Sequence, residues 1–282
     1  MTDGAMTAPG DGAMTAVLCS SCGGAVAMEA GRSEPRCLFC GSSALQRHAM
    51  PEGIEPPEAH VPFAISSARA MSILREYVTK GLFRPGDLAK QTPTLKQVSM
   101  TAWAWSGMVE THWTALISAA TRSGKRPISG AEVAELHDVL TPASSALSRA
   151  ELSGVAPYST EGAERIPEGG AGIPYEIGSL TRSVATGFAR DEMKAAHEAQ
   201  ISHRVGANRF SGSALVYQLT GRPLLLPAWI GTYTYRGRVH RYVVNGQTGK
   251  LHGTRPISPW RVMAAIVLLG LAIALGVAIV NS

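Results

Sequence analysis

The chain has 282 residues, 45% of them hydrophobic and 6% aromatic. That leaves room for one or two compact domains with a core of moderate size, and it is too short for a pair of motor domains. The net charge of +5 is unevenly spread: no acidic residue follows Glu198, the remainder carries +9, and residues 1–200 therefore sum to −4.

In chain order, residues 1–16 repeat DGAMTA at Asp3–Ala8 and Asp11–Ala16. The segment is small, polar and glycine-containing, and is expected to be a disordered tail. The four cysteines follow: Cys19-Ser-Ser-Cys22, fourteen residues, then Cys37-Leu-Phe-Cys40. Each CxxC turn presents two thiolates, and two such turns supply the four soft ligands of a tetrahedral zinc site. Gly23, Gly24 and Gly41 permit the left-handed backbone that turns amides toward the sulfurs. Residues 17–43 thus read as a zinc ribbon with one structural Zn2+. All four positions are ligands, so no open coordination site is expected.

Residues 44–60 read as a linker, with Pro51, Pro56 and Pro57 inside it. A helix capped by Ser66 or Ser67 comes next, with Met71, Leu74 and Val78 as its apolar stripe and Gly81 as its end. Pro85-Gly-Asp predicts a further short turn or helix. From Lys96 the period changes to two, Ser106-Gly107 reads as a turn, and a second strand runs through Val109, Thr111 and Trp113. Residues 129–141 fit helix or strand. Gly178–His203 reads as a helix with Leu180, Val184, Phe188 and Met193 on one face. Residues 208–253 read as an antiparallel meander broken at Gly221-Arg222, Arg236-Gly237 and Asn245-Gly246. Thr101-Ala-Trp103 and Pro227-Ala-Trp229 hint at an internal duplication.

Several motifs fail on spacing. Gly246-Gln-Thr-Gly249-Lys250 lacks the four residues between glycines, and the hydroxyl after lysine, that a phosphate loop needs, and reads as a hairpin. His197-Glu198 with His203 places the second histidine six residues on, not four, which predicts a solvated helix surface rather than a zincin motif. No Ser/His/Asp set, paired-acid set or Rossmann glycine pattern emerges, so no enzymatic activity is expected. Trp103, Trp105, Trp113 and Trp229 alternate with polar residues and read as sheet core rather than as a base-stacking platform.

The last stretch, Val262 to Val280, contains no charged residue and follows Trp260-Arg261, an interfacial aromatic and a snorkelling cation. Residues 260–280 are expected to form a single transmembrane helix anchoring the protein by its tail. The basic residues near it, Arg236, Arg238, Arg241, Lys250, Arg255 and Arg261, are expected to face an anionic lipid surface. Positive charge on this side alone puts the bulk of the chain in the cytoplasm, at the bacterial inner membrane. Gly270, Ala274 and Ala278 fall four apart, a small-residue face for helix association with a second copy or a partner.

The order of parts is familiar. The ribbon is followed by Val61-Pro-Phe-Ala-Ile65, a helix ending GLFRPGDL, a Trp-rich strand and Leu226-Pro-Ala-Trp229. The run from Tyr242 through Asn245-Gly-Gln-Thr-Gly249 to Pro256, Ser258 and the hydrophobic tail completes it. This resembles a bacterial family of membrane-attached zinc-ribbon proteins of undetermined function, some labelled primosomal-helicase-like because of the ribbon. The resemblance covers most of residues 17–282, although this chain has AWAW where members have one Trp. No Walker A motif is present, so the helicase label does not carry over.

The expected fold class is α+β: an N-terminal zinc ribbon, an antiparallel-sheet domain with helices over 61–258, and a C-terminal transmembrane helix. The expected function is a tail-anchored, cytoplasmic-face scaffold or adaptor binding a protein partner. The alternative is a membrane-attached nucleic-acid-binding protein.

Overall fold

The computed structural model describes residues 14–29, 35–49, 53–81, 83, 85, 94–120, 124–144, 148–166, 174–254 and 256–280. In chain order the elements are β1 (Met14–Cys19), β2 (Ala25–Glu29), β3 (Leu45–His48), β4 (Ala59–His60), α1 (Ser67–Thr79), β5 (Thr94–Ser118), β6 (Lys125–Pro142), α2 (Arg149–Val155), β7 (Glu164–Arg165), β8 (Tyr175–Glu176), α3 (Arg182–Arg204), β9 (Ala207–Tyr235), β10 (Arg238–Asn245), β11 (Leu251–Gly253) and α4 (Pro259–Val280).

Two long strands carry the architecture. β5 has 25 residues and β9 has 29, and they pair antiparallel from Thr94↔Thr232 to Ile117↔Ala207. The outer edge of β5 is shared: β6 takes Ala102–Ser118, and β8 pairs parallel at Ser99. The outer edge of β9 is shared in the same way, β10 taking Ala228–Tyr235 and β4 pairing parallel at Leu224 and Leu225. Through β8 the sheet continues to β2, β1 and β3, giving eleven strands in all.

This corrects the expected fold class. The ribbon strands are not a separate unit beside an antiparallel domain; they extend one mixed sheet, with Val26↔Glu176 and Ala27↔Tyr175 as the joining pairs. The physical reason is a shared core. Val26, Leu38 and Phe39 of the ribbon pack in one cluster with Val98, Met100, Leu224, Leu226 and Val243. Of the linker expected over 44–60, β3 pairs with β1 and β4 pairs with β9. Met14–Ala16, expected in the tail, lie in β1, while residues 1–13 are outside the described residues.

Glycine misled the strand boundaries. Ser106-Gly107 is a β-bulge level, not a turn: register shifts there against both β6 and β9. Each neighbour carries a residue at positive φ beside it, Asp138 at 50° and Gln218 at 51°. The three strands bend together, as bulges make them do. Gly221 sits inside β9 directly opposite Trp105, and a Cβ there would lie 2.3 Å from the indole. Gly130 of β6 lies opposite Trp113 in the same manner, 2.8 Å from where its Cβ would be. These glycines make room for tryptophan across the strand pair.

Beyond the bulges α3 covers the sheet. Its buried stripe is Ala185, Ala189, Met193, His197 and Ile201, at intervals of four. The expected face shares only Met193 with it: Val184 is exposed, and the helix is turned so that Ala185, Ala189 and Met193 meet the stacked Trp103 and Trp105. His197, expected in solvent, is buried against Thr111, its Nδ1 2.9 Å from Oγ1. Residues 129–141 are strand, part of β6. At the other end α1, capped by Ser66, buries Ala70, Leu74 and Val78 against Trp229, Val244 and a group of tyrosines. The segment 86–93 after Pro85 lies outside the described residues.

The transmembrane expectation is also corrected. Among the described residues no helix is long and apolar enough to cross a membrane. The backbone of α4 is helical over 22 residues, Pro259–Val280.

Gly221→Val should destabilise the fold by about 1–3 kcal/mol, since the indole of Trp105 has nowhere to go. Gly162→Ala, where an added Cβ meets nothing, is the control. Urea midpoints of the two variants check this; equal midpoints would contradict the packing account.

Candidate metal centre

Two turns of identical build hold the cysteines. In the first, the Cys19 amide donates to Gly24 O and the Gly23 amide to Cys19 O, both 2.9 Å. In the second, the Cys37 amide donates to Ser42 O at 2.7 Å and the Gly41 amide to Cys37 O at 3.0 Å. Gly23 and Gly41 have φ of 71° and 77°, which a β-carbon would disfavour. The Phe39 amide points at Cys37 Sγ, 3.4 Å away.

The four sulfurs lie within 4.8 Å of one another, Cys19–Cys40 at 3.6 Å and Cys22–Cys37 at 3.7 Å. Disulfides would need about 2 Å. A tetrahedral ion with metal–sulfur bonds of ~2.3 Å sets neighbouring sulfurs ~3.8 Å apart, so the group fits a metal ion. The electrostatics agree. Burial works against Cys19 ionising, but the amides of Ser21 and Cys22 and the thiols of Cys40 and Cys37 outweigh it and bring it down to about 7. Burial, and the nearby sulfurs of Cys40 and Cys37, push Cys22 up. Burial likewise raises Cys37. One thiolate forms readily and a second is opposed; a bound cation removes that opposition.

The centre is roofed by Phe39 and Glu176, which sequence alone did not single out, and by Arg241, which was expected at a lipid surface. Phe39 is fully buried, and the Arg241 guanidinium stacks over its ring at 5.5 Å. Arg241 Nε also lies 3.4 Å from Glu151 Oε1 of α2. Arg241 therefore faces inward, not toward a lipid surface. Beneath it Glu176 of β8 is wholly buried, accepting from Ser144 Oγ through Oε1 and from Thr101 Oγ1 through its carbonyl. Burial pushes its carboxyl up to about 7, against the pull of the Ser144 hydroxyl and the Arg241 charge.

The other anticipated site residues are scattered. Arg236 and Arg238 flank Gly237 at the β9–β10 turn. Lys250 Nζ donates to Ala156 O at 2.6 Å, a structural role. Arg261 is exposed in the first turn of α4, and Arg255 lies outside the described residues. Gly270 and Ala274 are exposed on α4, and the side chain of Ala278 lies outside the described residues. The Asn245–Gly249 run is a clasp, not a phosphate loop. Asn245 donates to Val155 O and Pro157 O, each at 2.9 Å, and its Oδ1 accepts from the amides of Gln247 and Thr248. Its one sequence signal was the asparagine before glycine.

Glu176 makes a pH prediction. The folded state holds its proton up to about pH 7, while the unfolded chain releases it near 4.5. Between these values the folded state binds more protons, so stability falls as pH rises and levels off above 7. The loss attributable to this group is about 3 kcal/mol. Glu176→Gln, which mimics the protonated acid, should gain on the wild type across that window by denaturant titration. Parallel stability curves from pH 4.5 to 8 would contradict the assignment.

No family model, curated protein or solved structure matches this chain.

Proposed function

We propose that the chain is a non-enzymatic scaffold or adaptor held at a membrane surface, its folded part on the cytoplasmic face and stiffened by one structural zinc. A protein partner docks on that folded part. Zinc is the ion of choice because four thiolates in a tetrahedron suit its size, charge and softness, and it brings no redox chemistry. With all four positions taken by cysteine, the ion's contribution is cross-linking rather than Lewis acidity.

The observation that carries the membrane reading is the exposure of α4. Leu268 is 66% exposed, Leu269 63% and Leu271 62%, and Met263, Ile266, Val267, Ile273, Val277 and Ile279 are comparably bare. Apolar surface this continuous marks an interaction site. Trp260, 79% exposed beside Arg261, is the amphipathic pairing that favours a headgroup boundary.

Vesicle flotation tests the reading. The full chain should float with phosphatidylcholine vesicles at 1 M salt and carry one zinc per chain by elemental analysis. A chain ending before Pro259 should float only with anionic vesicles at low salt. A truncated chain that floats at high salt, or a full chain that stays down, would contradict it.

A further inference from the structure

We infer that the base of α4 carries a phosphate-binding pocket, which takes the phosphate of an anionic phospholipid headgroup. The inference deepens the membrane-surface reading and rests on it.

The pocket is a cavity of about 460 Å³ between the β9–β10 turn and the start of α4. Tyr235, Arg236, Arg238 and His240 line it from the strand hairpin, and Pro256 to Pro259, with Pro85, line it from the segment that leads into α4. Among the described residues no carboxylate lines it, and none exists in the chain after Glu198.

Arg236 and His240 are placed rather than loose. Arg236 and Gly237 both take positive φ, 49° and 75°, which closes β9 onto β10 through a tight two-residue turn. The Arg236 guanidinium lies over the Tyr235 ring at 5.3 Å. His240 stacks on Tyr233, its direct cross-strand partner, at 4.9 Å, and its Nδ1 is 3.3 Å from Thr254 Oγ1. Burial, with the Arg238 charge, keeps the imidazole below its ordinary range, so it serves near neutrality as an uncharged hydrogen-bonding group. The facing wall is fixed too: the Ser258 amide donates to Phe83 O at 2.7 Å, anchoring the residues that lead into α4.

Two arginines line this one cavity, and guanidinium forks match tetrahedral phosphate oxygens. The helix begins at the same mouth and adds its positive end. The source of the phosphate is set by what stands beside the pocket. The exposed apolar flank of α4 starts at Trp260, so an acyl chain leaving the headgroup has a surface to follow.

The test uses the full chain in neutral detergent micelles, titrated with dihexanoyl phosphatidate, dihexanoyl phosphatidylcholine or inorganic phosphate and read by native mass spectrometry. Phosphatidate should bind saturably and at least tenfold tighter than either other probe. Arg236→Gln with Arg238→Gln should weaken it at least tenfold, while zinc content, circular dichroism and flotation with neutral vesicles stay as in the wild type. The double lysine variant, which keeps charge but loses the fork, should fall between. Equal binding of phosphatidylcholine, or an unchanged affinity in the glutamine variant, overturns the pocket. Inorganic phosphate binding as tightly as phosphatidate overturns the lipid assignment. Failure of the full chain to float would sink the membrane reading by itself, separately from these results.

Discussion

Four sulfur atoms within 4.8 Å are the constraint on which the first half of the molecule rests. Thiols this close resist ionising together, and burial adds to the resistance at Cys22 and Cys37. A cation held by all four sulfurs would resolve the conflict and fix both turns at once. Fixing them aims Phe39 into the main core, where it meets the sheet and the Arg241 guanidinium. The joint is therefore both apolar and hydrogen-bonded: Phe39 packs while β2 pairs with β8.

Sheet and helices divide the labour around the bulges at Ser106-Gly107. On one side β5 and β9 support the ribbon, α1 and α2. Flanking the bulges, they present Trp103, Trp105 and Trp113 to the five-residue buried stripe of α3. The Asn245 clasp binds the second half of the chain to the segment after α2, satisfying the buried Val155 carbonyl and the part-buried Pro157 carbonyl with one amide. Losing that side chain would leave both unpaired, a cost of the order of a few kcal/mol.

Much of this was legible. The CxxC spacing picked out four cysteines that could hold a metal ion, Ser66 is the one of the two expected serines that caps α1, and the Asn245-Gly and Arg236-Gly turns were sound. What misled were residues whose local meaning is reversed by a distant partner. Gly221 and Gly107 look like turn formers, yet one accommodates a tryptophan and the other a bulge against the β9 backbone. Arg241 looks like a surface cation, yet the ribbon folds back over it. His197 looks solvated until Thr111 comes opposite from 86 residues away. The fold class missed because the edge that β8 offers to β2 leaves no periodic trace in a two-residue strand.

The account makes a bound metal the pin that holds the ribbon in the sheet, with the α4 end of the chain built independently. Hydrogen exchange of the full chain, before and after chelation, tests this most directly. Chelation should strip protection from β1, β2 and β3 together with β8 and the Val98–Met100 part of β5, while α3 and the distal half of the β5–β9 pair keep theirs. Unchanged protection in β1–β3 after the metal is gone, or a uniform loss across the whole chain, would contradict it.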